Sequence, residues 1–298
     1  MKTQSARKIK GVISALPTPF LNGKVDYESL EKLVQFQVKN GVNGFVVNAT
    51  TSESPTLESD EVEKIYELVK KNSDDSIAVI MGTGSYSTAD TVEQTRRAQE
   101  MGADAALVVV PYYNKPPQRG LEKHFSLIAE STKLPIILYN VPSRTIAAMT
   151  VETIQALSHK ENIIGIKEAS GDIAFDEKMK AACTKDFILL SGDDPTYLPF
   201  LKMGGHGVIS VMSNIIPAQS AKWTKLAAEG KYAEAESDFA KYKEFLQQMY
   251  FEANPIPLKW MLYKAGLIRS AEMRLPLVQL DEKFYAPIEK QMKALGLL

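Results

Sequence analysis

Eight short runs of apolar and β-branched residues recur along this chain, and they limit its fold more than any other feature. They are Gly11–Ala15, Gly44–Asn48, Ile77–Met81, Ala106–Val110, Leu134–Tyr139, Ile163–Lys167, Phe187–Ser191 and Gly207–Val211. Nearly continuous apolar character marks strands buried on both faces, as in parallel sheets. Helical patterns separate most of the runs. Tyr27–Lys39 sets Leu30, Leu33, Val34 and Phe36 near helical spacing, and Ser59–Lys71 opens on Ser-Asp-Glu, read as a cap with acidic residues in the first turn. Ser87–Met101 and Gly120–Ser131 look alike. Eight strands with helices between them predict an α/β fold, a (β/α)8 TIM barrel more than an open doubly wound sheet, although periodicity alone leaves the open sheet available.

After the eighth run the pattern changes. The remaining chain, from Pro217 to Leu298, reads as helices over Ala218–Glu229, Tyr232–Tyr250, Ile256–Ala265 and Pro287–Leu295. The first completes the barrel. The predicted organisation is therefore a barrel over residues 1–230 and a C-terminal helical extension over 231–298 packed on it.

Charge and cysteine content narrow the classes of function. A formal net charge of −1 with 24% charged residues gives no general attraction to nucleic acid or anionic lipid. No run approaches the roughly 20 apolar residues of a membrane span, and no long apolar stretch follows the N-terminus, so a soluble, cytoplasmic protein is expected. One cysteine, Cys183, allows no intrachain disulfide, and three histidines (His124, His159, His206) leave little for a metal site. The basic cluster Arg7-Lys8-Ile9-Lys10 reads as a solvated tail.

Barrel active sites lie at the C-terminal ends of the strands. The sixth run ends in Lys167, which by strand alternation shares a face with Gly165 and Ile163; Gly165 is expected to leave space beneath the lysine stem. Apolar surroundings disfavour an ammonium ion and favour the neutral amine that attacks carbonyls. A strand-end lysine snorkelling to solvent is the plainer reading of this segment alone. The fifth run ends in Tyr139, with Arg144 in the following loop: a hydroxyl that can pass protons and a planar fork for a carboxylate. The fourth leads into Tyr112-Tyr113. The second leads into Thr50-Thr51-Ser52-Glu53, a hydroxyl-rich turn able to face an anion. Singly, each is more often loop capping than chemistry; together they stand at four strand ends of one barrel.

Seven segments, in order, resemble the dihydrodipicolinate synthase/N-acetylneuraminate lyase family. They are Thr50-Thr-Ser-Glu-Ser54, Pro111-Tyr-Tyr-Asn-Lys-Pro116, Leu138-Tyr-Asn-Val-Pro-Ser-Arg-Thr145, Gly165-Ile-Lys-Glu-Ala-Ser-Gly-Asp172, Ser191-Gly-Asp-Asp194, Gly204-Gly-His-Gly-Val-Ile-Ser210 and Asn254-Pro-Ile-Pro-Leu-Lys259. The resemblance implies a Schiff-base-forming lyase without cofactor or metal. Lys167 would form an imine with pyruvate, Tyr139 would move protons beside it, and Thr51 would link Tyr139 to Tyr113 in a hydroxyl relay. Tyr113 would reach across a tight dimer interface into the partner's site. Thr50 and Thr51 would hold the pyruvate carboxylate, Arg144 would bind the carboxylate of aspartate semialdehyde, and Gly192 and Ile209 would line the pocket through backbone atoms. The implied product is hydroxy-tetrahydrodipicolinate, in lysine and diaminopimelate biosynthesis, and the implied assembly is a homotetramer of two dimers.

Some features depart from this pattern or compete with it. Ala49 and Ser52 stand where the family usually has glycine around the Thr-Thr pair, which is expected to tighten that turn, and Ile146 stands where glycine commonly follows Ser-Arg-Thr. Gly82-Thr-Gly84 resembles the start of a dinucleotide fingerprint but lacks its third glycine, Ser87 being there instead. Sibling lyases of N-acetylneuraminate or sugar acids share the lysine and tyrosine. Arg144 and the Thr51–Tyr113 pair favour the synthase, and a non-catalytic keto-acid-binding barrel would need no nucleophilic lysine. Relatives inhibited by lysine use two histidines, an Asn and a Glu; those positions fall on Ser59, Val62, Tyr86 and Asp90 here, with Tyr112 retained, so weak or absent lysine inhibition is expected.

Overall fold

Each of the eight apolar runs forms a parallel strand, displaced by no more than two residues at either end. In the computed structural model, which describes residues 8–298, they are β1 (Gly11–Ala15), β2 (Gly44–Val47), β3 (Ala78–Gly82), β4 (Ala105–Val109), β5 (Ile136–Asn140), β6 (Ile163–Glu168), β7 (Ile188–Ser191) and β8 (Gly207–Ser210). Each strand pairs with the next and β8 pairs back to β1, which closes the sheet into a (β/α)8 barrel. Of the cluster Arg7–Lys10 expected as a solvated tail, Arg7 lies outside the described residues. Where the basic cluster is described it is not solvated tail: Lys8 pairs with Asp104 at 2.8 Å and Ile9 is buried.

Strand alternation sorts the side chains into two layers. Ile13, Val46, Ile80, Leu107, Ile137, Leu190 and Ile209 fill the barrel. Their neighbours Val12, Phe45, Val79, Ala106, Leu138, Leu189 and Val208 pack outward in one core with the surrounding helices. Burying each large apolar side chain contributes about 1.5–3 kcal/mol. The longer helices around the barrel are α1 (Tyr27–Lys39), α2 (Ser59–Lys71), α3 (Thr88–Glu100), α4 (Gln118–Ser131), α5 (Val151–Ser158), α6 (Ile173–Ala182), α7 (Tyr197–Lys202) and α8 (Pro217–Ala228), with one helical turn at Pro142–Thr145. The cap expected at Ser59 belongs to Glu58, whose backbone N–H donates to the Glu61 carboxylate at 3.0 Å. With the side chain of Glu61 reaching back, Ser59 becomes the first helical residue.

Strict alternation fails in β6. Ile136 pairs with Ile163 but Ile137 pairs with Gly165, so the register slips by one residue. Ile164 turns into the barrel while Ile163 and Ile166 face the helices. The expectation that Ile163 shares a face with Lys167 is thereby corrected: the extra residue flips it.

The C-terminal chain holds four further helices: α9 (Tyr232–Phe239), α10 (Lys243–Gln248), α11 (Ile256–Lys264) and α12 (Tyr285–Ala294). The single helix expected over Tyr232–Tyr250 is interrupted by a tighter turn at Ala240–Tyr242. Arg269, beyond α11, grips Asp26 at the N-cap of α1 through Nε–H to Oδ2 at 2.8 Å and a second bond to Oδ1. Burial opposes ionisation of Asp26, but the Arg269 and Ser29 donors prevail and hold its carboxyl at about 2.

Candidate active site

At the C-terminal ends of β2 to β5 the barrel opens into a cavity of about 310 Å³. Its lining includes Thr50, Glu53, Tyr112, Tyr139, Arg144 and Asn254. The one-residue slip in β6 sets Tyr139 of β5 against Lys167 of β6. Both are buried, and Lys167 Nζ lies 4.3 Å from the centroid of the Tyr139 ring. The lysine does not snorkel to solvent. Its stem runs past Gly192, where a Cβ would come within 2.8 Å of Lys167 Cε and 3.0 Å of Cγ. Gly165, expected to leave that space, serves another purpose: a Cβ there would meet the Ile188 carbonyl oxygen at 2.4 Å, so it permits close approach of β7. Ile209 lies in the barrel interior with Tyr139.

Thr50, Thr51 and Ser52 form one tight turn after β2, ended by Glu53 in the left-handed region. Thr50 lines the cavity and Thr51 is buried behind it. The departure at Ser52 has a structural consequence: its hydroxyl donates to the Leu16 carbonyl at 2.7 Å and accepts from Ala49 N–H at 3.3 Å, tying the turn to the end of β1. Gly82 and Gly84, the glycine pair after β3, stand where the backbone packs closely. A Cβ on Gly82 would fall 2.1 Å from the Asn48 carbonyl oxygen and one on Gly84 2.4 Å from Val109 N, so both let neighbouring segments meet.

The hydroxyl relay is not assembled within one chain. Thr51 Oγ1 accepts a hydrogen bond from Asn254 Nδ2 at 3.0 Å and from neither tyrosine. Tyr113 is 91% exposed with φ +71°, and Tyr112 lines the cavity in its place. Arg144 is exposed at the rim, where its Nη2 donates to the Asn254 carbonyl at 3.3 Å.

The segment Asn254–Lys259 carries part of the family resemblance, but sequence alone assigns its residues no role. The structure brings both its polar ends to the Thr50–Ser52 turn. Lys259 Nζ lies 2.7 Å from Glu53 Oε1, and both side chains are wholly buried. Burial pushes the Lys259 ammonium down to about 8 against the pull of Glu53. A signal existed: a lone charge in the apolar stretch Ile256-Pro-Leu-Lys-Trp-Met-Leu262 calls for a buried partner. Of the histidines, His124 is buried with Nδ1 2.9 Å from Thr88 Oγ1, and burial pushes it down to about 4. Among the described residues no group of three or more His, Cys, Asp or Glu could hold a metal ion, and no helix is long and apolar enough to cross a membrane.

Residues 8–295 match the Dihydrodipicolinate synthetase family. The chain is 50% identical over 292 residues to the 4-hydroxy-tetrahydrodipicolinate synthase of Bdellovibrio bacteriovorus, covering 98% of this chain and 100% of that one. A crystal structure of the chloride-inhibited dihydrodipicolinate synthase of Acinetobacter baumannii complexed with pyruvate superposes with TM-score 0.95 at 38% identity, over 97% of this chain and 100% of that one. The lysine-bound enzyme of Cyanidioschyzon merolae gives TM-score 0.93 at 38% identity, over 98% and 99%. The family match, the sequence identity and the superposed barrel all extend along almost the whole chain, which belongs to the dihydrodipicolinate synthetase family.

Proposed function

We propose that this enzyme condenses pyruvate with aspartate semialdehyde through an imine on Lys167, giving hydroxy-tetrahydrodipicolinate for lysine and diaminopimelate biosynthesis. The observation that carries the reading is the placement of Lys167 Nζ 4.3 Å over the Tyr139 ring beside a cavity with Arg144 at its rim.

The chemistry follows from these residue types. The Lys167 amine attacks the keto carbon of pyruvate and the carbinolamine loses water, with Tyr139 moving the protons. The protonated imine draws electrons from the neighbouring methyl group, which gives up a proton to leave an enamine. The enamine carbon then attacks the aldehyde, whose oxygen takes up a proton, and the amino group of the semialdehyde closes the ring onto the imine carbon and displaces the Lys167 amine. Thr50 and Thr51 hold the pyruvate carboxylate and Arg144 takes that of the aldehyde. Gly192 and Ile209 shape the pocket around the lysine. No cofactor or metal enters this scheme.

Tyr113 completes the relay in a partner's site, within a tetramer of two tight dimers in the cytoplasm. A bulky aromatic side chain left 91% exposed on a left-handed residue supports that role.

Intact-mass analysis after pyruvate and borohydride tests the reading. It expects one reduced adduct per chain, absent in Lys167→Ala. An adduct persisting in that variant would place the nucleophile elsewhere. Turnover with aspartate semialdehyde, and not with N-acetylmannosamine, separates the synthase from its sibling lyases.

A further inference from the structure

We infer that Lys259, through its ion pair with Glu53, is a positioning residue for the turn that takes the pyruvate carboxylate. The inference rests on the role proposed above for Thr50 and Thr51.

Glu53 ends the Thr50–Ser52 turn with φ +57° and ψ +38°, and its backbone N–H donates to the Thr50 carbonyl at 3.1 Å. A glutamate held in the left-handed region is strained and persists where its surroundings dictate it. Here both carboxylate oxygens are engaged. Oε1 meets Lys259 Nζ at 2.7 Å and Oε2 accepts from Arg274 N–H at 3.0 Å. The Lys259 ammonium also lies 4.2 Å from the centroid of the Phe20 ring. Two charges with no exposure are costly to desolvate, and such a pair is weak as a source of stability, but it is specific in direction. It fixes where Glu53 points, and so fixes the turn that Glu53 closes.

The other end of the same segment acts in concert. Asn254 Nδ2 donates to Thr51 Oγ1 at 3.0 Å, and the Asn254 carbonyl accepts from Arg144. The C-terminal extension therefore reaches into the barrel mouth and holds the Thr-Thr turn at Thr51 and at Glu53, across a sequence separation of 206 residues in the second case. A carboxylate site depends on placement to within a fraction of an ångström, so a turn released from this hold loses pyruvate before it loses fold.

The test is pyruvate-dependent borohydride trapping of the full-length enzyme and of a Glu53→Gln/Lys259→Met double variant, which keeps the shapes and removes both charges. The double variant is expected to need roughly tenfold more pyruvate for half-maximal trapping, with the KM for the aldehyde changed less than about twofold. A merely structural pair would lower the melting temperature and move both substrates together. Should the double variant fail to fold, Glu53→Asp keeps the pair but draws the turn inward, and the same selective rise is expected. Wild-type half-saturation in either folded variant would overturn the inference. Failure of the wild type itself to trap pyruvate would instead overturn the imine reading.

Discussion

The buried carboxyl group of Asp176 faces that of Glu168, the residue after Lys167 at the C-terminal end of β6. Lys167 faces the barrel and Glu168 the helices. Glu168 already accepts from Asn140 Nδ2 at 3.0 Å and from Ser170 N–H and Oγ–H at 2.9 and 2.8 Å, while Asp176 Oδ1 has no partner. Three donors favour the carboxylate on Glu168, so the shared proton belongs on Asp176. Burial and the Glu168 charge push Asp176 up to about 8, with Asp172 and Asp193 adding to the repulsion.

A pH dependence follows. Unfolded, Asp176 loses its proton near its ordinary value of 3.8; folded, it keeps it to about 8. The unfolded chain therefore holds fewer protons between those values, and this group's contribution to stability falls as pH rises from about 4 to about 8, then levels. Asp176→Asn supplies a permanent donor to Glu168. It is expected to raise Tm at pH 8 by about 2–6 °C, with a smaller gain at pH 5. A uniform loss of Tm across that range would mean the pair holds no proton.

Ile146 carries a second local conflict. It has φ +61° and ψ −43° and is 71% exposed. A β-branched residue is disfavoured there, and little burial in the chain compensates. Ile146→Gly is expected to stabilise the folded chain by about 1 kcal/mol in denaturant titration. Destabilisation would show that another surface covers the side chain.

The barrel was legible because buried parallel strands must be apolar along their whole length, and eight such runs stand apart from their flanks. The helix boundaries at α1 and α2 were legible for the same reason, as amphipathic stripes. The inserted residue at Ile164 was not, because Ile163-Ile-Gly-Ile reads the same with or without a slip in register. Asn22-Gly23, both at positive φ, closes a hairpin between Phe20–Leu21 and Lys24–Val25; the turn signal stands in the sequence, but strands of two residues are too short to show the alternation that would flank it. Lys167 and Tyr139 stand at strand ends and Arg144 in the turn that follows one, positions that a barrel pattern picks out from sequence alone. The Glu53–Lys259 pair could not be matched from sequence, since pairing across 206 residues is decided by the fold.

Gly192 offers a direct probe of the lysine's freedom. A methyl group there would lie 2.6 Å from Ala169 Cβ and 2.8 Å from Lys167 Cε. The lysine stem is the partner able to move, so Gly192→Ala should shift the amine away from its site. Imine trapping with pyruvate is expected to slow by about 10- to 100-fold, the cost of a displacement near 1 Å at a reacting group. An unchanged trapping rate in the folded variant would show that the stem has room to spare.

Ser59 and Val62 line a second cavity of about 180 Å³, which shares Asn48, Ser54 and Gly82 with the main one. Tyr86 and Tyr112 pack edge to face with ring centroids 5.5 Å apart, so Tyr86 occupies space beside the retained tyrosine. A bound lysine needs an anion for its ammonium groups and donors for its carboxylate. Val62 donates nothing from its side chain, and Asp90 sits in the first turn of α3 with a side chain one methylene shorter than glutamate. An effector changes activity only through a difference in binding energy between states, and these residues supply little of it. Lysine at millimolar concentration is therefore expected to leave turnover within about twofold of its starting value, since the contacts that would convert binding into a population shift are missing. Strong inhibition below that range would show that residues outside this set rebuild the site.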